Sequence, residues 1–421
     1  MERTSSTPSP SPSDSIGRAA PWLTLGAAFL GWMFDGLEMG IFPLIARPAL
    51  QDMLSVHNDQ LVGVWMGWIT AVFLLGAAAG GFVFGWLGDK IGRVRALAIS
   101  ILAYSLFTGL CYFARDPWHL GALRFLAALG MGGEWSLGVA LVMETWPSRH
   151  RPWLAGAIGA ASNVGFLLVG AIAYFVPVTQ TSWRWLVVVG AAPAALTFFI
   201  RMFVPESEKW KNAVQGRKVE PVKEIFGPGL RSRTFMAIVV SSIALIGTWG
   251  SVQWIPLWTD RLTGGVMPEA KATTGMLVAA GAIVGCIAGP LCGVFGRRLS
   301  YLVICLLSYA SCSWLFLGTA GYGLQFQLLC FAVGATTAAF YGWLPLYLPE
   351  LFPTRVRATA QGISYNFGRI LAAAGAVGAG RLVEFYDGNY GRMGATITLI
   401  YLVGMVVIWF GPETKGQPLP E

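Results

Sequence analysis

Long apolar segments recur along the whole of this sequence, and each is about the length of a helix that crosses a bilayer. About 20 mostly apolar residues are needed to span the ~30 Å hydrocarbon core. Hydrophobic residues make up 55% of the chain and charged residues only 12%, so an ordinary soluble globular domain is excluded. The sequence therefore predicts an all-α membrane protein with twelve transmembrane helices. We place them at residues 21–46, 61–85, 96–114, 119–144, 153–176, 183–204, 234–258, 273–295, 299–318, 323–348, 357–382 and 394–411.

The second half of the sequence repeats short motifs of the first half. ETWPSRHR, which begins at Glu144, is matched 206 residues later by ELFPTRVR from Glu350. GWLGDKIGR from Gly85 is matched 204 residues later by GPLCGVFGR, and PES from Pro205 is matched 207 residues later by PET. A repeat of half the chain length, with six spans in each copy, indicates two parallel six-helix halves. The predicted order is a disordered tail (1–20), an N-terminal bundle (21–204), a linker (205–233), a C-terminal bundle (234–411) and a C-terminal tail (412–421).

The net charge of +8 does not indicate a nucleic-acid partner, because the basic residues are distributed by membrane side. Lys and Arg concentrate in alternate loops, for example at Lys90, Arg93 and Arg95 and in the cluster from Lys209 to Arg233. The positive-inside rule places such loops in the cytoplasm, so we expect both termini to be cytoplasmic. The sequence contains no recognisable phosphate-binding loop, metal-ligand cluster or catalytic triad. This pattern argues against an enzyme, a bound metal and an organic cofactor.

Several motifs resemble the major facilitator superfamily of transporters. GWLGDKIGRVR, after the second span, is similar to the loop signature of that superfamily, and RFLAALGMGGEW from Arg124 resembles its fourth-helix pattern. PESEKW and PETKG, which end the two halves, resemble its metabolite and sugar porter branch. DGLE in helix 1, GMGGEW in helix 4, and PELFPTRVRAT with NFGR in helix 11 are most similar to proton symporters of organic acids. The nearest groups are the sialate and monocarboxylate carriers, followed by the aromatic-acid carriers.

The resemblance implies a secondary active transporter of a bacterial inner membrane, acting as a monomer. Its expected function is proton-coupled symport of a small organic anion, such as a monocarboxylate or sialate, by alternating access. The proton would be the coupling ion, and the lipid bilayer and the anion would be the only other partners. The alternatives are a sugar, polyol or aromatic-acid proton symporter of the same branch, an exporter driven by proton antiport, and a membrane sensor that does not transport.

Two carboxylates in the first span are candidates for proton coupling. Asp35 lies 14 residues after Pro21, or ~21 Å along a helix, which is near the bilayer middle. Glu38 lies one turn further on. A charge at that depth normally faces a partner or a water-filled cavity, and Arg124 in helix 4 is the expected partner of Asp35. A fixed Asp35–Arg124 ion pair without a role in transport is the alternative, and Glu134 in helix 4 is as suited to bracing helix packing as to transport.

Arg369 in helix 11 is the second exceptional charge. It lies 12 residues after Arg357, or ~18 Å into the membrane, and its own helix offers no nearby anion. A substrate carboxylate could supply one through the two-pronged guanidinium, whereas pairing with Asp35, Glu38 or backbone carbonyls is the structural alternative. The resemblance adds cavity-lining helices as a source of substrate contacts. On these helices the candidates are Asn366, Tyr365, Tyr341, Gln253 and Trp254.

Charged motifs at the predicted cytoplasmic face resemble the inner gate network of the superfamily. Their pairing would hold the two halves together there, and its loss would accompany inward opening. Solvated loop charges without a gating role are the alternative. Gly293 stands where Asp89 stands in the first copy, which predicts a weaker second lock. The gate candidates are Asp89, Arg93, Glu144, Arg149, Glu206, Glu350, Arg355 and Glu413.

Overall fold

The protein is almost entirely helical in a computed structural model that describes residues 12–55, 59–176, 179–214, 220–264, 267–291 and 295–421. Twelve spanning helices, α1–α12, form its transmembrane part. Those of the first half are α1 (Pro12–Leu54), α2 (Asp59–Ile91), α3 (Arg93–Leu110), α4 (Pro117–Met131 and Glu134–Thr145), α5 (Arg151–Phe175) and α6 (Trp183–Val189 and Ala194–Phe203). Those of the second half are α7 (Arg231–Gly250, followed by Ile255–Leu262), α8 (Pro268–Leu291), α9 (Arg297–Gly318), α10 (Leu324–Leu351), α11 (Arg357–Phe385) and α12 (Tyr390–Thr398 and Ile400–Val407).

Ten of the helical segments in the described ranges are both long enough and apolar enough to cross a membrane. The other two spans, α6 and α11, fall short for different reasons. A turn at 190–193, which contains Gly190 and Pro193, divides α6 into two short pieces. α11 is 29 residues long, but Arg357, Asn366 and Arg369 make it too polar to be recognised by hydropathy. This polar span carries three of the six predicted substrate contacts, namely Tyr365, Asn366 and Arg369.

Two segments outside the predicted spans contain helix. The N-terminal tail was predicted to be disordered over 1–20, but residues 12–20 belong to α1, which begins at Pro12. Residues 1–11 lie outside the described residues. The linker is partly helical, at Glu208–Val214 and Pro221–Ile225.

Glycines repeat the same helix contact in the two halves. Gly76 and Gly80 of α2 face the backbone carbonyls of Phe125 and Leu129 on α4, so closely that a Cβ would collide with them. Gly281 and Gly285 of α8 face α10 in the same way, at the carbonyls of Phe331 and Ala335. Apolar lipid gives little hydrophobic drive for helix association, so close backbone packing at small residues has to provide it. The halves then meet along α2 with α11 and along α5 with α8.

Candidate functional site

A cavity of about 270 Å³ lies between the two halves. Helices α1 and α5 contribute one wall, and α7, α8, α10 and α11 contribute the other. Of the predicted substrate contacts, Arg369, Tyr365, Tyr341 and Gln253 line the cavity. Three further lining side chains, Trp32, Asn163 and Trp249, were missed by sequence reasoning. Asn163 could have been found, because it is a lone amide in the apolar span α5.

Arg369 is buried at the cavity wall, with 4% of its surface exposed. Its Nη1 atom donates to Oδ1 of Asn366 at 3.0 Å, and its guanidinium carbon lies 5.2 Å from the ring centre of Tyr365. In the part of the chain that the structure describes, no carboxylate forms an ion pair with it. The amide and the aromatic ring orient the guanidinium, but neither neutralises its charge.

Asn366 and Trp254 do not line the cavity. The Nδ2 atom of Asn366 donates to the carbonyl of Gly132 in the first half, at 3.2 Å, and to that of Gly362, at 2.9 Å. Asn366 therefore joins the halves and holds Arg369 in place. The ring of Trp254 instead faces Tyr390, with 6.4 Å between the ring centres, because the chain leaves the regular helix after Gly250.

Arg124 pairs with Glu38, not with Asp35 as predicted. Its Nη1 atom donates to Oε1 of Glu38, and the Thr108 hydroxyl donates to the same oxygen at 3.1 Å. The guanidinium also lies over Phe73, 4.4 Å from the ring centre. The four side chains come from α1, α2, α3 and α4. The Glu38–Arg124 pair therefore connects helices of the first half.

Asp35 and Glu134 form a separate acidic pair. Both are buried, with 0% and 2% of their surfaces exposed, and their carboxyl groups face each other. None of their carboxylate oxygens has a hydrogen-bond partner among the described residues. Glu134 begins the second segment of α4, after the break at Gly132 and Gly133. Arg369 is the cation whose charge acts on Asp35 from the second half.

At one end of the helix bundle lie the charged loops, which we call the charged face. They comprise residues 88–93, 144–151, 297–298 and 350–359. Arg93 donates there to Asp89 at 2.6 Å and to Glu144 at 3.2 Å, within the first half. Asp89 also reaches the other half, where it accepts the backbone N–H groups of Thr359, at 2.7 Å, and Ala358, at 3.3 Å. A carboxylate is well placed at these free N–H groups because the start of a helix carries partial positive charge.

Further contacts of the first copy also cross between the halves. Arg93 donates to the carbonyl of Thr354 at 2.6 Å. Arg357, which was not among the predicted gate residues, donates to Glu144 at 3.0 Å. Glu206 remains within its own half, where it accepts the backbone N–H of Arg93 at 2.9 Å. The charged face is thus closed by contacts between α2 and α4 on one side and the start of α11 on the other.

The second copy forms a similar network that stays largely inside its own half. Arg297 donates twice to Glu350, at 2.9 and 2.8 Å. Glu413 accepts the backbone N–H groups of Arg297, at 2.8 Å, and Arg298, at 3.1 Å. Partial burial acts to raise the pKa of Glu413, but hydrogen bonds from Arg297, Arg298 and Lys415 outweigh it and hold that pKa below its usual value. These hydrogen bonds fix the end of α12 to the start of α9.

Two of the eight predicted gate residues, Arg149 and Arg355, belong to neither of these two networks. Arg149 is exposed, and its Nε atom donates to His150 at 2.8 Å. Arg355 donates to Glu224 of the linker at 2.7 Å, which ties the linker to the second half. Gly293, the predicted weak point of the second copy, lies outside the described residues.

The arrangement of two six-helix halves around a cavity agrees with the comparison with known proteins. The family model of the Major Facilitator Superfamily matches residues 23–376. The chain belongs to this superfamily. A solved structure of the proton:xylose symporter XylE, bound to 6-bromo-6-deoxy-D-glucose, superposes with a TM-score of 0.80 over 96% of this chain and 98% of XylE. At 17% identity, that likeness shows the shared fold alone.

Two curated relatives place this member of the superfamily among metabolite transporters. The chain is 31% identical over 390 residues to the inner membrane metabolite transport protein YgcS of Escherichia coli K12, covering 86% of the chain and 85% of the relative. It is 26% identical over 410 residues to the cis,cis-muconate transport protein of Acinetobacter baylyi, covering 93% and 94%. The protein is a multi-pass membrane transporter of metabolites and not an enzyme.

Proposed function

We propose that this superfamily member imports a small organic anion, such as a monocarboxylate or sialate, together with protons across a bacterial inner membrane. The observation that carries the proposal is Arg369, a buried guanidinium at the cavity wall with no carboxylate partner among the described residues. An uncompensated cation away from water is unfavourable, and a substrate carboxylate would compensate it. A neutral sugar would leave it unpaired.

The rest of the cavity suits an anion with an apolar or planar body. Trp32, Trp249, Tyr341 and Tyr365 surround the space next to Arg369. Aromatic walls with a few placed polar groups are typical of small-molecule sites. The guanidinium would hold the carboxylate with two parallel hydrogen bonds and so fix its orientation, while Asn163 and Gln253 offer amides to the remainder of the substrate. The names of the curated relatives support the same class, since cis,cis-muconate is itself a carboxylate.

Proton coupling is supported by the buried acids beside the cavity. Asp35 is within the field of Arg369, so the charge state of the carboxyl and the occupancy of the guanidinium affect each other. The charged face would be the cytoplasmic one, as its basic loops indicate. Its contacts would hold the halves closed on that side, and their rupture would release substrate and proton inward.

Uptake into proteoliposomes under an imposed proton gradient tests the proposal. The panel is lactate, sialate, nicotinate, benzoate and xylose, with protein-free liposomes as the control. At least one acid should accumulate above its equilibrium level, and a protonophore should abolish that accumulation. Accumulation of xylose without any acid would make the protein a sugar porter. Gradient-driven loss of acids from loaded vesicles would make it an exporter.

A further inference from the structure

We propose that Asp35 and Glu134 form one proton-binding site in which the two carboxyl groups share a single proton. Glu134 is then a proton-coupling residue, and the Glu38–Arg124 pair is a fixed connection rather than the proton carrier. The inference rests on the proposed proton coupling for its role in transport. The site itself rests on the geometry of α1 and α4.

The backbone brings the two carboxyl groups together. Gly31 and Asp35 lie four residues apart on α1 and so share one face of that helix. The Glu134 side chain fills the space next to Gly31, where a Cβ would lie 3.1 Å from its Cδ atom and collide with its Oε1 atom. Because Gly31 has no side chain, the Glu134 carboxyl can extend along this face toward Asp35.

Among the described residues, no other group donates a hydrogen bond to the pair. Both oxygens of each carboxyl are buried, and none accepts a hydrogen bond from the described residues. Two ionised carboxylates in contact repel each other, and burying either without a donor is very unfavourable. A single proton removes both penalties, because a protonated carboxyl can donate its O–H to the neighbouring carboxylate. The Glu38 carboxylate differs, since it already accepts from Arg124 and Thr108.

The surrounding charges connect this proton to the substrate. The ionisable groups that face the pair are Glu38 from α1, Tyr104 from α3, and Arg369 and Tyr365 from α11, with Arg124 behind Glu38. Arg369 is the cation among them whose charge reaches Asp35 from the cavity wall. A substrate anion that binds Arg369 offsets the positive charge that acts on Asp35, so anion and proton favour each other's binding. The only bond made or broken is O–H, and the proton is exchanged with water.

Infrared difference spectroscopy during a pH titration tests the shared proton without any substrate. The purified protein in lipid should show the C=O band of a protonated buried carboxyl that persists after exposed acids have ionised. In Glu134→Gln and in Asp35→Asn, the new amide donates a hydrogen bond to the remaining carboxylate, so the proton is held at least about tenfold less tightly. The band should therefore disappear at lower pH in both variants.

Two more variants complete the test. Gly31→Ala leaves every ionisable group in place but displaces the flexible end of Glu134, so it should weaken the proton in the same direction. Glu208→Gln, at an exposed carboxyl paired with Lys211, should leave the band unchanged. A band that is absent from the wild type, or that persists unshifted in either Glu134→Gln or Asp35→Asn, overturns the shared site.

Transport measurements distinguish the shared proton site from the proposed proton-coupled symport. In proteoliposomes, Glu134→Gln should need an external proton concentration at least about tenfold higher for half-maximal gradient-driven uptake, because it binds the proton more weakly. An unchanged pH profile overturns the role of Glu134 in coupling. If the infrared band behaves as expected but the wild type shows no gradient-driven uptake, the proton site stands and the proposed symport fails.

Discussion

At the charged face, each half forms the same network of side-chain contacts within itself. The two networks differ in the contacts that they make with the other half. Each copy holds an arginine at the start of its third helix by a glutamate from its fourth helix, and a second glutamate accepts the backbone N–H of that arginine. A hydroxyl then donates to the first glutamate in each copy. The matched groups are Arg93 and Arg297, Glu144 and Glu350, Glu206 and Glu413, and Ser207 and Thr414.

The copies differ in the contacts that join the halves. Asp89 accepts two N–H groups at the start of α11. In the second copy, Gly293 stands in the place of Asp89, and Pro152, which has no N–H, stands in the place of Ala358. The acceptor side chain and one of the two N–H donors are therefore missing from the reciprocal contact. The comparison teaches that the repeat supplies the framework of each half, while closure of the charged face depends mainly on acids of the first half.

The largest effect is expected from Asp89→Asn. The variant removes the charge from a group that binds Arg93, Ala358 and Thr359, and each charge-assisted hydrogen bond contributes ~1.5–3 kcal/mol. The equilibrium between closed and open charged faces should shift at least about tenfold toward open. Electron spin resonance distances between labels at the exposed positions Arg95 and Ser232 would measure the shift.

Asp387→Asn is the matched control for this experiment. Asp387 is exposed and has a φ of 52°, a backbone conformation that asparagine adopts as readily as aspartate. Its distances should equal those of the wild type. If Asp89→Asn also leaves the distance distribution unchanged, the one-sided account of closure is wrong.

A smaller difference is expected between Glu144→Gln and Glu350→Gln. Each glutamate accepts from arginine and from one hydroxyl, so both variants should lower the melting temperature to a similar extent. Glu144 forms an ion pair with an arginine of the other half, Arg357 at 3.0 Å, and Glu350 has no such pair among the described residues. Glu350 has only a longer-range attraction to Arg151 across the interface.

The same label pair at Arg95 and Ser232 distinguishes these two variants. Glu144→Gln should populate the open distances several-fold more than Glu350→Gln does, because a charge-assisted contact between the halves contributes ~1.5–3 kcal/mol. Equal populations in the two variants would show that both copies lock the interface equally.

The smallest effect is expected from the pH dependence of Glu413. Its pKa is depressed in the folded protein, so its contribution to stability is present at neutral pH and is lost as the pH falls below about 4. The group is largely exposed, so the contribution should be below ~1 kcal/mol. Glu413→Gln should melt slightly below the wild type at neutral pH, and the gap should close under acid. A gap that widens under acid would contradict the assigned hydrogen bonds.

The fold could be predicted from the sequence because each apolar segment and each repeated motif can be recognised by itself along the chain. The twelve apolar segments and the internal repeat predicted both the membrane class and the two halves, and the depth of Arg369 predicted a buried cation. The sequence also placed spans at 183–204 and 357–382, although α6 is interrupted and α11 is polar.

The partners of the buried charges could not be predicted in the same way. Depth along a helix is set by 1.5 Å per residue, but rotation and tilt decide which side chains meet. Arg124 therefore pairs with Glu38, one turn further along α1, instead of with Asp35. α4 is interrupted at Gly132 and Gly133, directly before Glu134, whereas the sequence predicted one continuous span there.

Calorimetry of substrate binding tests most directly the claim that Arg369 holds the carried anion. The ligands are the acid from the uptake panel that accumulates best and its uncharged amide, each titrated into wild type, Arg369→Lys and Arg369→Ala. The wild type should prefer the acid by about tenfold to a hundredfold, as a charge-assisted pair of ~1.5–3 kcal/mol requires. Arg369→Lys should keep part of that preference, because an ammonium retains the charge but not the fork. Arg369→Ala should lose it, and an Arg369→Ala protein that still discriminates acid from amide as the wild type does would contradict the account.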